Sequence, residues 1–239
     1  MTKGYTRTER AAGWLVHIYT ALGLPLNFLS LFALIQGDAQ RFLLLNLIAV
    51  GVDSSDGFLA RRLKVWERVP SFDGAKLDDL VDFLTYAFLP AVALPLLGLL
   101  PSGWEGWALL PIMSSGYGFC QRQAKVEDAF VGFPSYWNIG LIYAVIFQPS
   151  PAVLVGALIF LSVMVFIPIH YLYPSKLRRL FWITNIFSTL YLVSLAALIL
   201  APNAPWRETL ALYSLSFVLY YTVLSFLFDW QRRQHRSGS

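Results

Sequence analysis

Residues 42–63 read FLLLNLIAVGVDSSDGFLARRL and residues 74–100 read GAKLDDLVDFLTYAFLPAVALPLLGLL. Each is an apolar run of the length a helix needs to cross about 30 Å of hydrocarbon, roughly 20 residues at ~1.5 Å per residue. Each also carries carboxylates where a membrane helix is expected to have none. Asp53 and Asp56 fall near the end of the first run, and Asp78 and Asp82 near the start of the second. The apolar length bears on the fold class, and the acids bear on the chemistry.

Working outward, the whole chain of 239 residues is 57% apolar or aromatic and 13% charged. A soluble domain carries about 25% charged residues, so neither disorder nor an ordinary soluble enzyme fits. Apolar blocks between polar punctuation predict eight helices, over about 11–36, 39–62, 73–100, 104–124, 135–148, 151–172, 178–200 and 206–229. The fold expected is an all-α integral membrane protein of about eight transmembrane helices, a single domain over residues 1–239. The fifth segment is the shortest, bounded by Pro134 and Pro151.

Lys and Arg are retained on the cytoplasmic side of short loops, so their distribution tests this topology. With both termini inside, sixteen of the 18 basic residues fall on one side, among them Lys3, Arg61, Arg62, Lys125, Lys176, Arg178, Arg179 and Arg233; only Arg41 and Arg207 fall on the other. One span missing or invented would reverse every later loop. The net charge of +4 therefore reads as basic loops facing anionic lipid rather than a nucleic-acid surface. The N-terminal MTKGYTRTERAAGW is read as an uncleaved cytoplasmic lead-in. Trp104, Trp107 and Trp206 fall in outside connections and suit an interfacial belt. The single Cys120 cannot form an intramolecular disulfide, and no Cys/His cluster has zinc spacing.

Seven of the 14 acidic residues lie between positions 53 and 82. A carboxylate deep in a membrane helix costs about 2.5 to 3.5 kcal/mol on insertion scales, so several together need a positive partner. Asp53 and Asp56 are spaced i, i+3, and Asp78 and Asp82 i, i+4, so each pair shares a helix face. Antiparallel neighbours joined by a short loop would let all four converge. Oxygen donors without sulfur or imidazole suit Mg²⁺ or Mn²⁺. Ion pairing with Arg61, Arg62, Lys64 and Lys76 is the alternative. Gly57, Ala60 and Gly74 leave backbone open for a bulky ligand or for close helix packing, and Arg61 offers a planar bidentate donor to phosphate. Two divalent ions, open backbone and an arginine describe a pyrophosphate site.

The string Asp53, two residues, Asp56-Gly57, two residues, Ala60-Arg61, then Gly74, three residues, Asp78, three residues, Asp82 resembles the signature of the CDP-alcohol phosphotransferases. These are helical-bundle membrane enzymes that move a phosphatidyl or similar group from a CDP-linked donor to an alcohol with divalent metal. The spacer of twelve residues, 62–73, is longer than in most of the family and resembles the bacterial phosphatidylcholine synthase branch. So do PSFDGAKLDDLVDFLTY at 70–86, AKVEDAFVGFPSYWN at 124–138 and IHYLYPSK at 169–176.

The resemblance implies Asp53, Asp56, Asp78 and Asp82 as ligands of two Mn²⁺ or Mg²⁺ ions, with Asp82 also the general base. It implies CDP-diacylglycerol held by Asp53, Gly57, Ala60, Arg61 and Gly74, choline as acceptor, CMP and phosphatidylcholine as products, and a homodimer in a bacterial inner membrane. Choline carries a permanent cation with no donor on nitrogen, so its pocket should be aromatic. Tyr86, one turn beyond Asp82, Tyr136 and Trp137 at the start of the fifth segment, and Tyr171 with Tyr173 at the end of the sixth are the candidates. Lys125 is a candidate for lipid phosphate, and His17, His170 and His235 carry no catalytic assignment. Two alternatives remain: the same transfer to another alcohol such as serine, and a small cation transporter using the acidic cluster as its site.

Overall fold

Thr6 starts the first helix with a capping box. Its hydroxyl accepts from Glu9 N–H, and its own N–H donates to Glu9 Oε2 at 2.8 Å. The computed structural model describes residues 4–121, 126, 129–172 and 181–237. Helices α1 (Arg7–Ala21) and α2 (Gly23–Ile35) run on through Leu22, which keeps a right-handed helical conformation. At the end of α2, Gly37 takes φ +75°, and the N–H groups of Gly37 and Asp38 reach back to Leu34 and Ala33 carbonyls. This is a Schellman stop. Asp38 then caps α3 (Ala39–Leu63) by accepting from Arg41 N–H at 2.9 Å.

Beyond α3, Lys64 in the left-handed region turns the chain into the single turn α4 (Val65–Arg68). Asp73 caps α5 (Gly74–Asp82) through Lys76 N–H at 3.1 Å. A π-helical turn, Phe83–Phe88, follows, and α6 (Leu89–Leu96) completes the stretch. In the π-turn, Leu89 N–H bonds the Leu84 carbonyl instead of the Thr85 carbonyl, and the next residue, Pro90, has no N–H to give. The carbonyl so released is taken by Asn46 Nδ2 at 2.8 Å, while Asn27 Nδ2 holds the Thr85 hydroxyl at 2.8 Å.

Contacts divide the chain into two units that meet in sequence between Leu89 and Pro90. In the first, α1 packs against both α3 and α5, and α2 lies along α3. The approach of α1–α2 to the following elements is close. A methyl group would fall 2.7 Å from Val69 at Gly13, 2.5 Å from His17 at Gly74, and 2.2 Å from Val81 at Gly23.

The second unit holds a 3₁₀ turn (Glu105–Ala108), α7 (Leu109–Cys120), β1 (Ala129–Val131), α8 (Trp137–Phe147), α9 (Pro151–Phe166), β2 (His170–Leu172), α10 (Phe181–Leu200) and α11 (Arg207–Ser237). Its strands pair antiparallel, Phe130 opposite Tyr171. The sixth segment, expected helical to residue 172, stops at Phe166. Pro168 explains the stop: it disfavours helix at Ile167, which is extended, and supplies no N–H. The strand that follows is held by side chains of α11. Ser225 accepts from Leu172 N–H at 3.1 Å, Tyr221 donates to the Leu172 carbonyl at 3.0 Å, and Asp229 accepts from His170 N–H at 3.1 Å.

All eight segments read from the sequence are helical over most of their length. Among the described residues, five stretches are long and apolar enough to cross a membrane: Arg7–Ile35, Ala39–Leu63, Gly74–Leu96, Trp182–Leu200 and Arg207–Gln234. The fifth segment starts as helix at Trp137, not at residue 135, and its 11 residues extend only ~16 Å. The outer surface is apolar, with Met113 at 71% and Trp182 at 76% exposure. Large apolar side chains displayed this widely belong against lipid. The protein is an all-α membrane protein whose only sheet, among the described residues, is the short β1–β2 pair.

Candidate active site

Asp53 projects from α3, and Asp78 and Asp82 from α5. One carboxylate oxygen of each lies within 4.8 Å of the others. Asp82 is buried, and the other two are half-buried. At such separations each pair of bare carboxylates repels by about 3 to 4 kcal/mol at an effective dielectric of 20, so a cation is the natural complement. The donor set is oxygen only. Ligands of a Mg²⁺ or Mn²⁺ ion at ~2.1 Å sit about 3 to 4 Å from one another, so small side-chain rotations would close the group around one ion. The acidic cluster can therefore hold a metal ion. Asp56, one turn beyond Asp53, is buried and stands outside this trio.

The lysines at the two ends of the α3–α5 connection are engaged locally. Lys64 pairs with Glu67 at 3.9 Å and Lys76 with Asp73 at 3.5 Å. Tyr5 donates to Glu67 and lies under the Arg68 guanidinium, which ties the start of the chain to α4. The bond to the Glu67 carboxylate holds the Tyr5 phenol above its ordinary pKa, because ionisation would set two anions together.

The small residues of the motif have different surroundings. At Gly57 a methyl would come within 3.2 Å of the Arg61 guanidinium, so this glycine leaves room for the arginine folded back one turn along α3. At Gly74 the Cβ direction is filled by the His17 ring. His17 is 8% exposed, packs against Phe72 with the rings tilted at 54° and centroids 4.5 Å apart, and meets Trp14 edge-on at 5.7 Å. Its Nε2 is buried without a hydrogen-bond partner. Gly74 thus has a packing reason to be glycine, and His17 is a neighbour that motif spacing did not indicate.

Of the aromatic candidates for the acceptor, Tyr86 belongs to the acidic group, where its hydroxyl donates to Asp53 Oδ2 at 2.6 Å. Tyr136, Trp137 and Tyr171 gather in the second unit. Tyr171 stacks on Tyr221 at 6.5 Å, Tyr136 meets Tyr221 at 6.2 Å, and Phe133 bridges Trp137 and Tyr171 at 5.4 and 6.4 Å. Trp137 and Tyr171 are buried, and the indole N–H of Trp137 donates to Ser115 Oγ at 2.8 Å. Tyr221, a member of this cluster, went unnoticed in the sequence because it comes from the distant α11. About two turns further along α11, Asp229 accepts from His170 Nδ1 and from Arg233 Nε, both at 2.7 Å. Lys125, Tyr173, Lys176, Arg178 and Arg179 lie outside the described residues.

No protein-family model matches the chain. Curated proteins do. The chain is 37% identical over 238 residues to the phosphatidylcholine synthase of Legionella pneumophila, covering 93% of this chain and 90% of that protein. It is 33% identical to the phosphatidylcholine synthase of Pseudomonas aeruginosa, over 87% and 88% of the two chains, and 34% identical to that of Rhizobium meliloti, over 85% and 89%. With identity above 30% along nearly the full length of these relatives, and with three acids of the metal motif gathered in the fold, the chain belongs to the phosphatidylcholine synthase family.

Proposed function

We propose that this protein transfers the phosphatidyl group of CDP-diacylglycerol to choline, releasing CMP and forming phosphatidylcholine. The observation that carries the reading is the meeting of Asp53, Asp78 and Asp82 in a chain so similar to proteins of that name. In this reading Asp53, Asp56, Asp78 and Asp82 hold two Mn²⁺ or Mg²⁺ ions. When bound, these would neutralise the diphosphate and the charge that builds on the departing CMP.

The residues of the chain do the rest. Arg61, with room made for it by Gly57, binds diphosphate oxygens, and Ala60 lets the nucleotide lie close to α3. The choline hydroxyl forms the new O–P bond as the P–O bond to CMP breaks, and its proton passes to an Asp82 carboxylate oxygen. A single in-line displacement needs no Ser or His nucleophile. A quaternary ammonium requires aromatic faces to hold it.

The distribution of Lys and Arg supports insertion in a bacterial inner membrane with both termini and the reaction on the cytoplasmic side. A homodimer is part of the same family-based reading. An acceptor panel tests it. Purified protein given CDP-diacylglycerol and Mn²⁺ or Mg²⁺ is expected to release CMP with choline and not with serine, inositol or glycerol phosphate. CMP release with serine alone would move the protein to another acceptor class.

A further inference from the structure

We propose that Tyr86 is a positioning residue for the Asp53 carboxylate, and that the π-turn held by Asn27 and Asn46 is what aims it; this rests on the metal-site reading above. Tyr86 follows Asp82 by four residues, inside the only π-helical turn among the described residues. Its hydroxyl donates to Asp53 Oδ2 at 2.6 Å, which links the helix bearing Asp78 and Asp82 to the helix bearing Asp53. A carboxylate has two oxygens and about four acceptor directions, so one bond from a phenol fixes its rotation and leaves capacity for a cation. Outer partners of this kind orient metal ligands, and their loss typically costs about 10- to 100-fold in metal affinity.

The conformation that presents Tyr86 is specified in the sequence. An ordinary α-helical turn would use the Thr85 carbonyl internally. Here the π-turn and Pro90 release it, and Asn46 from α3 takes it at 2.8 Å. Asn27 from α2 takes the Thr85 hydroxyl at 2.8 Å. Thr85 is 1% exposed, and Asn27 and Asn46 are both buried. Two buried asparagines on two different helices thus converge on one residue of the turn, and the next residue is the one bonded to Asp53. A buried carboxamide N–H is costly unless bonded, and both Asn27 and Asn46 place theirs on Thr85, although Asn27 Oδ1 has no partner; these two bonds set the phase of the helix after Asp82.

The test is a Mn²⁺ titration of wild type, Tyr86→Phe and Asn46→Ala in nanodiscs, reading free Mn²⁺ by electron paramagnetic resonance, together with choline KM at saturating metal. Tyr86→Phe removes one oxygen and keeps the ring. We expect the Mn²⁺ dissociation constant to rise at least fivefold in Tyr86→Phe, while the choline KM stays within twofold of wild type. Asn46→Ala should shift Mn²⁺ affinity in the same direction. Mn²⁺ affinity within fivefold of wild type in Tyr86→Phe overturns the proposal, as does a raised choline KM without loss of metal affinity, which would make Tyr86 an acceptor-pocket residue. A wild-type protein that binds no Mn²⁺ at all overturns the metal-site reading itself.

Discussion

Gly74→Ala tests whether the first helix positions the acids of α5. The added methyl would lie 2.5 Å from His17 Cε1 and 2.9 Å from Nδ1, where ordinary contact begins at 3.4 Å. The ring cannot simply swing aside, because it is buried between Trp14 and Phe72. Relief therefore needs α1 and α5 to separate by about 1 Å, an overpacking that costs about 1 to 3 kcal/mol. Asp78 sits one turn further along α5, and a misplacement of ~1 Å at a reacting group can cost about 100-fold in rate.

The assay is the initial rate of choline-dependent CMP release, paired with the thermal unfolding midpoint, for Gly74→Ala, His17→Ala and the double variant. Gly74→Ala should lose about 10- to 100-fold in rate and lower the midpoint. In the double variant the methyl enters space the imidazole has left, so the two effects should be strongly non-additive, with the second substitution restoring part of what the first removed. Wild-type rate and stability in Gly74→Ala would refute the reasoning. So would simple additivity, because a glycine needed only for nucleotide approach has no reason to be rescued by His17→Ala.

Other perturbations have distinct signatures. Asp82→Asn should lower turnover by about 100- to 10,000-fold, the range expected for loss of a general base, while the protein still inserts and purifies as a folded bundle. Arg61→Lys keeps the charge and loses the planar fork, so kcat/KM for CDP-diacylglycerol should fall about tenfold. Asp229→Asn weakens the charge-assisted bonds from His170 and Arg233 that hold β2 to α11. It should cost about 1 to 3 kcal/mol in all, since Arg233 is 60% exposed and its pair adds little, seen as a lower unfolding midpoint with Mn²⁺ affinity unaltered.

The acids were legible because local spacing carries the information. Asp78 and Asp82 share a helix face whatever lies opposite, and charges stranded in apolar runs stand out against their surroundings. What α1 contributes was not legible. The seat of His17 on Gly74 joins residues far apart in sequence, and the same glycine reads equally well as open backbone or as close packing until its neighbour is known. The π-turn is hidden for the same reason. Pro90 signals that a carbonyl will be released, but only the fold brings Asn46 to receive it.

The end of the sixth segment shows a mixed case. Pro168 announces a helix stop, yet residues 170–172 become a strand because β1 pairs with them and Ser225, Tyr221 and Asp229 accept or donate along their other edge. Apolar composition at this point looks the same for helix and strand. Likewise, Tyr136, Trp137 and Tyr171 stood out as aromatics near segment ends, whereas Tyr221, inside the long apolar α11, had nothing to separate it from its many aromatic neighbours.

The most direct test of the account is stoichiometric. Wild type and Asp82→Asn, reconstituted with CDP-diacylglycerol and labelled choline, are compared with Mn²⁺ present and with chelator. The account predicts CMP and labelled phosphatidylcholine in equal amounts from wild type with Mn²⁺, neither product with chelator, and both formed at least about 100-fold more slowly by Asp82→Asn. Equal product from the chelated enzyme, or from Asp82→Asn, would contradict it.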